Sequence, residues 1–525
     1  MVDQINQAID IVVPWMDKMN DKDDNIEKII NLSGDEINER RPLYQITRKK
    51  YLNIIRQQLQ ANNRILLPTY NICAYYSCEL TDMQQKVHEH MTRTGAYRLI
   101  MELDQTNPYS LEEFLKKINN EIMKKLNGFL HNKLITYSQW EQMTINQSNS
   151  QLNTLYFLPD TRQVGSDKRV KVSFHPMVRC HHHLTMNTSK FLSRLLQPIY
   201  NLVTYSNTFN TDADVIDAVE KYTRKGLLRF NTLFTTLHIH DLSTIVPHGQ
   251  TIDALKRFLD EYVLEKKIEG ITVTTIMDLV QLVLENQCII YENRLYQQIQ
   301  GGISNSPLTI LLANIYIFYW QQDLVRNLHN KNEIFGRCFD EIFLTWNDSE
   351  QRLHDILQTL NRQVLNIPIT IFISNDVNYL DLNICHLDGN LKIQVVHQLN
   401  TEPYALPYVV GHSRHKYHSL IRVALLRATR CYTYVFDFVN ELEDIQLSFQ
   451  YNRFSNDFII DQIQLFLEEF GVSQMNVHGG EKFYDQSLYD HLRQHVIKYH
   501  QREKRLKLKR CRKIVQHQCK HSYYQ

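Results

Sequence analysis

Two adjacent acids, Asp340 and Glu341, stand between two short apolar runs, Phe335-Gly-Arg-Cys-Phe339 and Ile342-Phe-Leu-Thr-Trp346. Runs rich in aromatic and branched residues on either side of a short interruption read as a β-hairpin, here with carboxylates at its turn. Neighbouring carboxylates in apolar surroundings are costly unless a positive charge offsets them. A divalent cation does so, and magnesium takes carboxylate oxygens while sharing its remaining positions with substrate phosphates. Alone, such a hairpin is more often a surface turn that happens to carry two acids. Two other segments change the balance. Upstream, Leu233-Phe-Thr-Thr-Leu-His-Ile-His-Asp-Leu-Ser-Thr-Ile-Val-Pro-His248 reads as a buried strand running into a helix start. Between them, Gln300-Gly-Gly-Ile-Ser-Asn-Ser-Pro-Leu-Thr-Ile-Leu-Leu-Ala-Asn-Ile-Tyr316 reads as a Gly-rich turn leading into an apolar helix. Loops of that kind let backbone approach a ligand closely.

The elements that must position these groups fall into five stretches. Residues 1–45 form a polar leader with an acid-rich run from Asp17 to Glu27, and residues 46–150 read as a helical N-terminal region. Its clearest helix opens at Ser110 with Glu113 three positions on, a capping-box signature. Leu111, Phe114, Leu115, Ile118, Ile122, Leu126 and Phe129 then recur at helical spacing, a packing stripe. Through residues 151–400 short apolar runs alternate with loops and helices, an α+β pattern. Residues 401–475 follow, and then a basic tail over 476–525, including Arg505-Leu-Lys-Leu-Lys-Arg-Cys-Arg-Lys513. Such a block contacts phosphates, serves as a nuclear address, or is simply a solvated charged helix end.

The chain has 525 residues, 43% hydrophobic and 22% charged, which is a globular composition with room for several cores. A net charge of +1 excludes a surface that is basic throughout, so any basic face is local. The 23 histidines add charge below neutral pH. Nine irregularly spaced cysteines, and no signal-peptide pattern over Met1 to Asn20, suggest reduced intracellular thiols. Cys73 with Cys78, and Cys511 with Cys519, each offer half a zinc site without a second pair. The longest apolar stretch, Leu308 to Trp320, is too short to span a bilayer and reads as a buried helix; no membrane partner is expected.

The order strand–helix, Gly loop–helix, acidic hairpin resembles motifs A, B and C of reverse transcriptases. More narrowly it resembles the Penelope-like retroelement type, whose polymerase is related to telomerase. Phe157-Leu-Pro-Asp-Thr-Arg-Gln163, His175-Pro-Met-Val178 and Ser189-Lys-Phe-Leu-Ser-Arg-Leu-Leu-Gln-Pro198 resemble that group's fingers. The helix after Ser110, ending in Trp140-Glu-Gln-Met143, resembles the segment before those fingers. Tyr379-Leu-Asp-Leu-Asn-Ile384 resembles the strand after motif D, and Leu406-Pro-Tyr-Val-Val-Gly-His-Ser-Arg-His415 the primer grip. The likeness covers roughly residues 90–470. It implies an α+β right-hand polymerase, with fingers and palm over 151–400 and a primer grip and helical thumb over 401–475. It also implies RNA-directed DNA synthesis on an RNA template and a DNA primer, with deoxynucleoside triphosphates, and a two-metal site for Mg2+ or Mn2+. A nuclear location follows from the resemblance and the tail. No GIY-YIG endonuclease motif follows Gly471.

Carried over residue by residue, the resemblance meets several departures. Asp340 matches the first motif C aspartate, and Glu341 stands where a second is usual. In motif A, His238 takes the catalytic aspartate's place, Asp241 the frequent second aspartate's, and Ser243 that of an aromatic residue that excludes a 2′-hydroxyl. The serine implies open space and weaker discrimination against ribonucleotides. An imidazole brings a neutral nitrogen where magnesium prefers hard oxygen, so nucleotidyl transfer is expected to be impaired. Period-2 alternation turns Asp241 away from His238 unless the strand has ended. The nucleotide-binding set is Ser243, Gly301, Gly302, Ser306, Pro307 and His175, the last replacing an arginine; Asn305 occupies a glycine's place. The primer-grip set is Gly411, His412, Arg414 and His415. A polymerase, active or impaired, is the leading reading, and an inactive nucleic-acid-binding protein on the same fold is the second. An unrelated α+β scaffold binding metal around Arg179-Cys-His-His-His183 is the third.

Overall fold

Leu233-Phe-Thr-Thr-Leu-His-Ile239 is rich in branched and aromatic residues and lacks Gly and Pro, the composition of a strand with neighbours on both sides. It is that in the computed structural model, which describes residues 55, 57–70, 75–103, 109–144, 152–160, 172–179, 183–304, 306–362, 368–397, 414–451, 454–472 and 485–519. The polar leader expected over 1–45 lies outside the described residues. The elements begin with β1 (Arg64–Pro68), β2 (Tyr75–Glu79), α1 (Leu80–Thr94), β3 (Tyr97–Glu102), α2 (Tyr109–His131), α3 (Tyr137–Met143), β4 (Asn153–Asp160) and β5 (Ser173–Arg179). Next come α4 (Met186–Val203), α5 (Asp212–Arg224), β6 (Leu233–Ile239), α6 (Leu242–Ile245), α7 (His248–Tyr262), β7 (Lys267–Ile268), β8 (Ile271–Thr272) and α8 (Val273–Glu285). The middle of the chain supplies β9 (Cys288–Tyr291), β10 (Arg294–Gln298), α9 (Pro307–Trp320), α10 (Gln322–Asn330), β11 (Phe335–Cys338), β12 (Glu341–Trp346) and α11 (Glu350–Arg362). The last are β13 (Ile369–Ser374), β14 (Asp376–Tyr379), β15 (Leu382–Leu387), β16 (Asn390–Val395), α12 (Arg414–Cys431), α13 (Val435–Tyr451), α14 (Asn456–Glu469) and α15 (Gln486–Gln518).

The fold is α+β, and palm, fingers and thumb denote the parts of the right hand that the resemblance implies. The palm is an antiparallel sheet in the order β11-β12-β6-β13. Its back face, Leu237, Ile239, Ile342, Leu344 and Trp346, buries against α9, α10 and α11. Each such side chain contributes about 1.5–3 kcal/mol on leaving water. Helix α9 is apolar all round because it is shared between two cores. Leu308, Leu311, Leu312 and Ile315 face a fingers core, while Ile317 and Trp320 face the palm core. The longest apolar stretch is thus a buried helix, and no described helix is long and apolar enough to cross a membrane. The fingers combine the sheet β3-β10-β9-β4-β5 with helices α2, α4, α7 and α8. Thumb helices α12, α13 and α14 share one core with the sheet β14-β15-β16 and with Phe234 and Phe343, at the far end of the palm's front face.

Two expectations change. The region expected to be helical carries three strands as well: β1 and β2 pair with each other, and β3 joins β10 nearly 200 residues on. A pairing partner so distant overrides local pattern. Helix α2 does run where the periodicity places it, with Ile118, Ile122 and Leu126 buried, although the Ser110 side chain lies outside the described residues. Tyr379 to Ile384 is not one strand. It is the tip of the β14–β15 hairpin, turned at Leu380 with φ +53°.

Candidate active site

The sheet register brings the proposed catalytic residues together. His238 lies directly opposite Glu341 on β12 and Thr370 on β13, so the three side chains share the front face. Asp340 sits in the two-residue loop between β11 and β12, and its carbonyl accepts from Ile239 N–H at 2.8 Å. Both acids and His238 therefore gather at one end of the sheet. Phe339, the first loop residue, has φ +52°, a place that two-residue hairpins ordinarily give to Gly or Asn. A bulky residue held there marks a turn fixed by its surroundings. Much of the fixing comes from Arg337, 4% exposed. Its guanidinium donates to Gln321 Oε1 at 2.9 Å, Asn314 Oδ1 at 2.7 Å, the Tyr200 hydroxyl at 2.8 Å and the Phe339 carbonyl. The Tyr379 hydroxyl donates to the Glu341 carbonyl at 3.1 Å.

Asp241 does not join this group. The strand ends at Ile239, and Asp241 takes a left-handed conformation, φ +54°, at the start of α6. Its side chain, 7% exposed, receives the Arg93 guanidinium at 2.7 Å and lies 3.7 Å from His90 Nδ1, both from α1. Asp241 is thus committed to an ion pair away from His238. Sequence reasoning missed Arg93 and His90, and nothing in their spacing announces them.

The cleft end of the palm is instead rich in imidazoles. The rings of His238 and His240 meet edge to face, centroids 4.7 Å apart, and His240 Nε2 lies 2.6 Å from Thr370 Oγ1. Burial lowers the pKa of His240 against the opposing pull of Asp241, and burial likewise lowers that of His90 against the same carboxylate. Both favour the neutral ring near pH 7 and bring no charge of either sign. His175, on β5, sits 2.9 Å from Asp160 Oδ2, and its ring lies tilted by 33° against Tyr70, centroids 4.7 Å apart.

The Gly-rich loop docks on the segment after β6. Gly301 N–H donates to Val246 O at 2.7 Å and Gly302 N–H to Ser243 O at 2.8 Å. Gly301 has φ +60°, and a Cβ there would stand 2.1 Å from the Ser243 carbonyl oxygen. Both the conformation and the approach require glycine. The cavity that Ser243 lines with Gly301, Thr309 and Leu312 measures about 10 Å³. On this side the space expected from a serine is filled by the loop, leaving room for about one water. Ser306 is buried, with its hydroxyl 2.6 Å from that of Ser189, and Pro307 opens α9. Asn305, Gly411 and His412 lie outside the described residues. Arg414 and His415 begin α12, but their side chains are not described.

A two-metal centre needs several hard oxygens converging on one point. Among the described residues, donor atoms of three His, Cys, Asp or Glu side chains come within 4.8 Å of one another only at His397, Glu441 and Asp444, between the end of β16 and α13. His238, Asp340 and Glu341 form no such set. Two carboxylates and an imidazole, with Asp241 held by Arg93, do not fit a pair of magnesium ions. Of the segment in the metal-scaffold reading, Cys180, His181 and His182 lie outside the described residues. The His183 ring is buried, its Nδ1 lies 3.0 Å from Thr185 Oγ1, and burial lowers its pKa to about 4. Every described cysteine is a free thiol, and Cys73 lies outside the described residues.

No protein-family model and no curated protein matches the sequence. Among solved structures, it is similar to telomerase from Candida albicans in complex with a fragment of telomeric RNA: TM-score 0.45, 10% identity, covering 69% of this chain and 64% of that one, less than two thirds of its length. It is also similar to apo telomerase from Candida tropicalis, with TM-score 0.42, 10% identity and coverage of 92% and 77%. A third is the RNA-dependent RNA polymerase of a human picobirnavirus, with TM-score 0.39, 11% identity and coverage of 89% and 92%.

Proposed function

We propose that this chain is a reverse-transcriptase-type protein, of the Penelope-like kind by its motifs, that binds a primer–template while its nucleotidyl transfer is impaired. The observation that carries the reading is the register of β6. His238 stands opposite Glu341 beside Asp340, where an acid would complete the site, and the next acid is held by Arg93. The surrounding palm is intact, so gripping a duplex needs nothing that these substitutions remove. Transfer, in contrast, depends on charge stabilisation at that point. The natural template is an RNA and the primer a DNA strand, and the setting is nuclear. Where a divalent cation binds at all, Asp340 and Glu341 hold it, and manganese tolerates the imidazole better than magnesium does.

A stronger form of this reading, a protein that only binds, is favoured by the lowered pKa values of His240 and His90, which bring no charge to the cleft. Fluorescence anisotropy with an RNA-template/DNA-primer duplex tests what both forms share. Affinity that falls linearly with log salt, and competition by unlabelled duplex, are expected. Failure to bind at low salt would remove both.

A further inference from the structure

Helix α15 is 33 residues long and its two sides carry opposite fates for their charges. One side is anchored. Tyr489, Leu492 and Val496 enter the thumb core, and Val515 enters the fingers core. Between these ends the same side meets the acidic helix α5: Arg493 pairs with Glu220, Gln501 donates to Asp217 at 3.1 Å, and Lys504 pairs with Asp214 at 2.6 Å. The other side is unmatched. Arg502, Arg505, Lys509, Arg510, Arg512 and Lys513 are exposed and form no ion pair among the described residues. At 100° per residue they fall within an arc of about 160° and span about 16 Å of helix. Neighbours three and four apart, such as Arg505 with Lys509 and Lys509 with Lys513, repel one another. The chain as a whole has a net charge of only +1, so this density is local.

We propose that the outward face of α15 is a second nucleic-acid site, which takes the phosphodiester backbone of an RNA or DNA strand outside the palm cleft. Rigid anchoring at both ends distinguishes it from a solvated tail, because the basic row is held in fixed register instead of relaxing into solvent. Arginine supplies four of the six cations, and its planar fork suits phosphate oxygens. Spacing along one helix face reads backbone charge and carries no base recognition, so binding is sequence-independent. The site stands on the charges of α15 and holds whether or not the cleft binds a primer–template.

The test uses the full chain and a variant with Lys509→Gln, Arg510→Gln, Arg512→Gln and Lys513→Gln, whose fold is checked by thermal melting. Probes are 30-nucleotide uridine RNA, thymidine DNA of equal length, and phosphatidylserine vesicles. Six phosphate contacts give a log–log salt slope of about −4 on a single strand, and removing four contacts brings it to about −1.5. Affinity for RNA and DNA is expected to fall about tenfold or more in the variant at low salt, and the strand held more tightly identifies the natural source. An unchanged affinity and slope would overturn the proposal. So would binding to vesicles that depends on these residues when neither oligonucleotide binds.

Discussion

Arg337→Met should cost about 3–5 kcal/mol of stability, and the reason lies in the hairpin that carries the acids. The guanidinium is 4% exposed, and among the described residues it has no carboxylate partner. Its charge is spread over neutral acceptors: Asn314 Oδ1 and O, Gln321 Oε1, the Tyr200 hydroxyl and Phe339 O. Methionine fills much of the volume but donates nothing. The hydroxyl of Tyr200 loses an interaction, and three acceptors, Asn314 Oδ1, Gln321 Oε1 and Phe339 O, lose a donor in a site closed to water. Each such loss costs about 1–3 kcal/mol. The two amide side chains recover part of this by turning, which brings the sum to about 3–5 kcal/mol, a large fraction of a typical folding free energy of about 5–15 kcal/mol. Arg337→Lys keeps the charge and one or two of the bonds, so it should fall between the variant and wild type. Urea unfolding followed by tryptophan fluorescence reads this directly, since Trp320 and Trp346 are both buried in the palm core. A loss below about 1 kcal/mol for Arg337→Met, with an unchanged denaturant slope, would refute the idea that this residue fixes the turn.

Three further outcomes are expected. Gly301→Ala meets the Ser243 carbonyl and an unfavourable φ, so it should lower stability by about 1–3 kcal/mol in thermal or urea unfolding, whereas Gly249→Ala, with open space around it, should cost far less. The hydrogen bond to Glu441 raises the pKa of His397 against the opposing effect of burial. That stability is fully present below about pH 6.5 and lost as pH rises through the raised value. Melting temperature should therefore decline more steeply above pH 6.5 in wild type than in His397→Gln. Burial pushes the Asp214 carboxyl up, but bonds from His500, Lys504 and the Asn210 backbone outweigh it and hold the pKa well below the usual carboxylate range. This stability is present above about pH 3.8 and lost as pH falls further, so Lys504→Met should move acid unfolding to higher pH, as circular dichroism would record.

How far the sequence reaches differs from residue to residue. The acidic hairpin, the strand of His238 and the buried α9 follow from short-range pattern, because period 2, a two-residue turn and an all-apolar helix are local properties. Period 2 also places His238 and Glu341 on one face once the strands pair. The commitment of Asp241 to Arg93 was not legible, since the partners stand 148 residues apart and each is an ordinary surface residue type. The role of Arg337 was hidden for the same reason: Tyr200 reaches it from another element. Strand β3 escaped because an edge strand with exposed Leu99 and Ile100 has no alternating signature, and only β10 gives it a partner. Ser243 suggested open space from its size alone, and the backbone of the Gly loop bounds that space on one side.

If the fold is retained and one carboxylate is missing, returning an acid at position 238 should restore transfer. Primer extension on an RNA template, in magnesium and then in manganese, tests it with wild type, His238→Asp and His238→Asp/Asp340→Ala side by side. His238→Asp is expected to extend about 100-fold faster than wild type, equivalent to about 2.7 kcal/mol of transition-state stabilisation, and the added Asp340→Ala to abolish the gain. Wild type extending as fast as His238→Asp would contradict the claim, for the imidazole would then serve as well as the acid.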